Sequence, residues 1–109
     1  MGFNQRMLTS AQPDELVRAL ADPLRARIVE LLADEQLCTC HLVDLTGARQ
    51  TNVSNHLRVL REAGLVQTQA AGRYTYYRLR ADALDRVAAH YGELADRARG
   101  ATQNRRPCP

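Results

Sequence analysis

The most reactive groups in this 109-residue chain are three thiols, Cys38, Cys40 and Cys108. Two of them stand one residue apart in the run EQLCTCHL at residues 35–42. Thiolates are soft donors that select thiophilic ions. Residues 1–10 lack an apolar core of signal-peptide length, so a cytoplasmic setting with reduced thiols is expected rather than a disulfide framework. If both close cysteines start a regular helix, their side chains point about 200° apart. They then share one ion only where that first turn is frayed or distorts on binding.

A second set of side chains follows the thiols closely. Gln50, Thr51, Ser54, Asn55, His56 and Arg58 fall on one side of a segment whose other side carries Val53, Leu57 and Leu60. Short hydrogen-bonding groups plus arginine on an exposed helix face are what major-groove edges require, amides pairing with adenine and arginine with guanine. All 15 basic residues are arginine, and residues 46–81 hold six of them against the single acid Glu62. That window is net +5 while the rest of the chain is net −2, which places one basic face opposite phosphates.

The elements that position these groups can be read from caps and periodicity. Residues 1–12 are expected to form a flexible arm. Pro13, followed by Asp14 and Glu15, opens a helix with Leu16, Val17 and Leu20 on its apolar side. Asp22 and Pro23 repeat the signal as N-cap and first helical position, and a second helix runs to about Asp34. Thr39 is the expected N-cap of a short third helix with Leu42 and Leu45 inward and Gly47 as terminator. A fourth helix begins at Gln50 or Thr51 and ends at Gly64. Two helices joined by so short a glycine-containing linker make a helix-turn-helix.

The period then changes from helical to two. Residues 65–69 and 74–79 are β-rich runs flanking residues 70–73, a hairpin that places Arg73 at its tip, near a flanking groove or phosphate. A last helix from Ala81 or Asp82 to about Arg99 carries Leu84, Val87, Ala88, Tyr91, Leu94 and Ala98. So small a fold offers this stripe no partner, so the chain is expected to dimerise through it. The fold class is therefore mainly α with a small β-hairpin (α+β), a winged helix-turn-helix in the order ααααββα. Residues 13–99 are its DNA-binding and dimerisation domain, and residues 100–109 are a flexible tail carrying Cys108.

The runs LADPLRARI at residues 20–28, QTNVSNHLRVLREAGLV at residues 50–66 and GRYTYY at residues 72–77 resemble the ArsR/SmtB family of bacterial metalloregulatory repressors. The resemblance spans residues 13–99. It implies a homodimer joined through its first and last helices, bound to imperfect inverted repeats in double-stranded operator DNA and released when metal binds. The run at residues 35–42 is similar to the thiolate box used by family members that sense arsenic, antimony, cadmium or lead. In the arsenic-sensing branch a third cysteine follows three residues after the second; here that position is Val43.

As(III) prefers three thiolates. The expected metal ligands are Cys38, Cys40 and Cys108, with As(III) or Sb(III) as inducer. Eight residues separate Cys108 from Gly100, a reach of roughly 26 Å when extended. His41 and a small-molecule thiol are the other candidates for the third ligand. The family's other site, on the last helix, would need a histidine where Leu84 stands; Asp82, His90 and Glu93 are what remains of it. A sensor of a divalent ion (Cd, Pb, Zn or Ni) and a thiol redox sensor are the alternatives on the same scaffold. No paired catalytic carboxylates, nucleophile elbow or phosphate loop occur, so no enzyme is expected. No run of 18 apolar residues suggests a membrane span.

Overall fold

The computed structural model describes residues 12–109. Apart from Gln12, the arm expected at residues 1–12 therefore lies outside the described residues. Helix α1 (Pro13–Leu20) starts where the sequence signals it: Pro13 occupies the first turn and the Gln12 N–H donates to Glu15 Oε1 at 2.8 Å. Helix α2 (Pro23–Leu32) follows directly. Its N-cap Asp22 accepts through Oδ2 from the backbone N–H groups of Leu24 (2.9 Å) and Arg25 (3.1 Å). Two of the helix's four orphan donors are thus satisfied by one carboxylate.

A two-residue strand, β1 (Leu37–Cys38), comes next and is an addition to the expected order. Helix α3 (Thr39–Thr46) then begins with Cys38 as its N-cap, one residue before the expected cap Thr39, which is the first helical residue. Gly47 ends it with φ 73, and its N–H donates to the Val43 carbonyl at 2.9 Å. That left-handed conformation strains any residue with a Cβ. Of the two leucines expected inward on α3, Leu42 is fully buried while Leu45 is 50% exposed.

Helix α4 (Gln50–Glu62) buries Val53, Leu57 and Leu60 at helical spacing. It ends at Gly64, where the Leu65 N–H returns to the Leu60 carbonyl at 2.9 Å. Strands β2 (Val66–Ala71) and β3 (Tyr74–Leu79) form a hairpin whose turn is only Gly72 and Arg73, tighter than the four residues expected. Gly72 takes φ 64 and Arg73 does not, the pattern of a two-residue turn with glycine first. β3 lies between its partners in the sheet order β1-β3-β2, all antiparallel.

Helix α5 (Ala81–Gly100) closes the structure. One core joins Leu16, Ile28, Leu32, Leu42, Val53, Leu57, Leu60, Leu65 and Val66. Burying each leucine contributes roughly 1.5–3 kcal/mol. Ala83, Leu84 and Val87 attach α5 to this core, but the helix then runs beyond it. Residues 91–100 are exposed throughout, including Tyr91 (47%) and Leu94 (37%). The stripe expected to lack an internal partner is therefore divided: Leu84 and Val87 pack on the core, and only its C-terminal part, with Tyr91, Leu94 and Ala98, is left uncovered among the described residues. No helix among them is long and apolar enough to cross a membrane.

Candidate thiol site beside a candidate nucleic-acid interface

Helix α4 presents its polar side outward because its apolar side is spent on the core. Gln50, Thr51, Ser54, Asn55 and Arg58 are all exposed. They gather toward the N-terminal half of the helix, where the aligned peptide dipoles also favour negative charge. Arg58 lies 3.7 Å from Glu62, one turn on. Arg73 is exposed at the hairpin tip.

Two further arginines of the basic window are engaged within the fold. Arg78 donates to Gln67 across the hairpin. Arg80 is only 11% exposed in its side chain, with Nε and Nη2 on the Asp82 carboxylate at 3.1 and 2.7 Å. Arg80 is therefore withdrawn from the basic face.

His56 does not sit as the helical wheel suggests. Its ring turns off the open face toward α2, with Nδ1 2.9 Å from Arg25 Nη1 and Nε2 3.7 Å from Asp22 Oδ2. The wheel assigns only an angular position about the helix axis. The partners of His56 stand 31 residues or more away, so nothing local in the sequence announces them.

The thiols correct the expectation drawn from a regular helix. Cys38 and Cys40 do not oppose one another: their sulfurs are 2.8 Å apart. The reason is the strand. Cys38 has φ −90 and ψ 170, extended backbone pairing with Tyr76 of β3, and the helical rotation begins only after it. The 200° separation applies within a helix, not across a strand–helix junction. At 2.8 Å the two are well beyond a covalent disulfide of about 2.05 Å, and both remain free cysteines.

His41 completes the local cluster. Its Nδ1 accepts from the Cys38 backbone N–H at 3.2 Å and lies 3.3 Å from the Cys38 sulfur. The Cys38 thiol is held below its ordinary value, first by its hydrogen bond to Cys40, and the Cys40 thiol is raised by the same contact. Cys38 is 5% exposed while Cys40 is open to solvent, so an ion would enter from the Cys40 side. Two thiolates on a zinc-sized ion with bonds near 2.3 Å lie roughly 3.8 Å apart. The pair is therefore within about an ångström of chelating geometry.

Cys108 is exposed in the segment after α5. Among the described residues no hydrogen bond joins it to the pair, and no group of three His, Cys, Asp or Glu side chains forms a ready metal cage. The remnant of the last-helix site fares no better. Asp82 is occupied by Arg80, which also holds its carboxyl below the usual range, and His90 lies edge-on to Tyr91 at 5.2 Å.

Position couples the two regions. Cys38 pairs with the hairpin strand β3 and also begins α3, and α3 packs on α4. His41 faces Tyr76 of β3 at 6.1 Å between ring centres. A strand too short to show periodicity makes this junction, and sequence reasoning missed it.

The sequence pattern of the bacterial regulatory protein, arsR family, matches residues 22–68, from the cap of α2 into β2. The chain is 40% identical over 85 residues to a transcriptional repressor SmtB homolog from Synechocystis, a match covering 78% of this chain and 62% of that protein. The chain thus spans less than two thirds of the length of that curated relative. Among solved structures it is similar to a possible transcriptional regulator for arsenical resistance, with 34% identity and TM-score 0.67 over 84% of this chain and 98% of the other. It is also similar to the homodimeric winged helix-turn-helix DNA-binding domain of a possible ArsR-family regulator from Mycobacterium bovis. That match has 26% identity and TM-score 0.60, over 88% of this chain and 86% of the other. The hairpin β2–β3 is the wing of such a fold, and this chain belongs to the arsR family of bacterial regulatory proteins.

Proposed function

We propose that this chain is a metalloid-responsive transcriptional repressor of the cytoplasm, bound to operator DNA as a homodimer and released when As(III) or Sb(III) is taken up by cysteine thiolates. The observation that carries the reading is the 2.8 Å approach of the Cys38 and Cys40 sulfurs where β1 meets α3. Gln50, Thr51, Ser54, Asn55 and Arg58 read the operator, an imperfect inverted repeat, and Arg73 contacts its backbone. Residues 13–99 form the DNA-binding and dimerisation domain. The exposed Tyr91 and Leu94 of α5, together with α1, supply the dimer contact, a reading supported by the homodimeric relative from Mycobacterium bovis.

Release follows from opening the pair. Spreading the sulfurs to span an ion displaces the N-cap residue of α3 and the strand residue facing Tyr76 together. Helix α3 and the wing then shift against α4, and the reading residues lose register with the groove. Cys108, on residues 100–109 as a flexible tail, supplies the third thiolate. Titrating As(III) into operator-bound protein tests this. Wild type is expected to dissociate, Cys38→Ser to stay bound, and Cys108→Ser to bind As(III) at least tenfold more weakly. Undiminished As(III) affinity in Cys108→Ser would remove the tail from the site.

A second reading is favoured by His41. Its Nδ1 lies 3.3 Å from the Cys38 sulfur, which is itself 2.8 Å from the Cys40 sulfur, so a local rearrangement would bring two sulfurs and one nitrogen of one protomer to one ion. That donor set suits Cd, Pb or Zn. Release by Cd(II) but not As(III), abolished in His41→Ala, would select it. Peroxide-driven release without metal would instead select thiol oxidation.

A further inference from the structure

Arginine carries donors only, in a planar fork that cannot be deprotonated in proteins. Arg25, in the first turn of α2, uses that fork in two directions. Its Nε donates to the Ala19 carbonyl in the last turn of α1 at 2.6 Å, and its Nη1 meets His56 Nδ1 at 2.9 Å. Because Arg25 cannot accept, Nδ1 of His56 is the acceptor and the ring proton sits on Nε2. That nitrogen faces Asp22, whose Oδ2 is 3.7 Å away and already caps α2. The ring is 24% exposed in its side chain and so only partly wetted.

The chain of contacts from the Ala19 carbonyl through Arg25 and His56 to Asp22 therefore joins the end of α1, the start of α2 and the middle of α4. His56 lies on the flank of α4, roughly 60° of helical rotation from the centre of its buried stripe. Apolar burial is non-directional. The stripe of Val53, Leu57 and Leu60 holds α4 against the core but fixes its rotation only loosely. Hydrogen bonds on one flank are directional and set that rotation.

We propose that Arg25 and His56 are positioning residues of the recognition helix, acting on DNA through the rotational setting of α4 and not through contact with a base. The inference rests on the DNA-binding reading above and adds to it a pair of residues that stand off the reading face. The probe is a duplex selected by the wild-type protein from a random-sequence pool. His56→Ala and Arg25→Met are each expected to weaken its binding about tenfold. The double variant should also lose about tenfold rather than a hundredfold, because the two residues act as one unit.

His56→Gln should recover affinity to within about threefold, since its amide accepts from Arg25 and turns an N–H toward Asp22. Nitrogen NMR of the DNA-free wild type should show His56 protonated on Nε2 alone. Additive losses, no recovery with glutamine, or a proton on Nδ1 would overturn the inference while leaving selection of a DNA sequence intact. A wild-type protein that selects no sequence overturns the DNA-binding reading itself.

Discussion

Helices α3 and α4 pack on one another, yet α4 and the start of α3 are held by different means. α4 is held by burial: Val53 and Leu60 are fully covered, Leu57 is 1% exposed, and the opposite face is left for ligand. The start of α3 is held by a backbone junction, with Cys38 in a strand on one side and a helix on the other. A surface carried on a packed stripe and set in rotation by the contacts of Arg25 and His56 on its flank is suited to reading. On the proposed function, the strand–helix junction moves when its two sulfurs are drawn apart. On the proposed function, the recognising and responding parts of this chain differ in how their geometry is maintained, not in how far apart they are.

Substitutions separate the two. The largest effect is expected from Leu57→Ala, which opens a cavity beneath the reading face and costs about 3 kcal/mol of stability in denaturant titration. A loss under 1 kcal/mol would mean that α4 is not held by its buried stripe. Cys38→Ser sharpens the other side. Serine is a favoured N-cap, so the fold and DNA affinity should persist while As(III) affinity in calorimetry falls on the order of a hundredfold. Loss of DNA affinity as well would show that the thiol itself, and not the junction, holds α3.

Smaller effects follow at the periphery. Arg73→Ala at the wing tip should weaken binding to all sequences a few-fold and lower the salt-dependence slope by about one. A loss confined to one sequence would instead make Arg73 a base reader. The least effect concerns pH. The Asp22 carboxyl lies below its ordinary value, chiefly because it accepts the Arg25 N–H, with the Leu24 N–H and His56 adding to this. A depressed carboxyl stabilises the fold above its unfolded pKa and loses that contribution as pH falls, here below about pH 4. Thermal melting of wild type and Asp22→Asn from pH 7 to pH 3 should converge at the acid end. Curves that stay parallel would remove the cap from the account.

Much of α4 and the wing was legible in the sequence because their signals are local. The three-and-four spacing of Val53, Leu57 and Leu60, the glycines at 47, 64 and 72, and the change to a period of two each report a backbone state within a few residues. The exposure of Gln50, Thr51, Ser54, Asn55 and Arg58 followed from the same periodicity. The exposed stripe on α5 was legible for a related reason: too few other apolar residues exist to cover it.

The thiol pair and His56 were not legible in this way. Residues 37–38 form a strand only because Tyr76 and Tyr77 lie alongside, almost 40 residues later in the chain, and two residues display no periodicity of their own. His56 faces inward only because Asp22 and Arg25 are brought to its flank by the packing of α2 on α4. What the sequence by itself determined is which residues can do chemistry and which elements carry them, since caps, turns and periodicity are local properties of the backbone. Only the tertiary structure decided that Cys38 and Cys40 point toward each other and that His56 points away from the open face. Direction across an element boundary is set by a hydrogen-bonding partner distant in sequence.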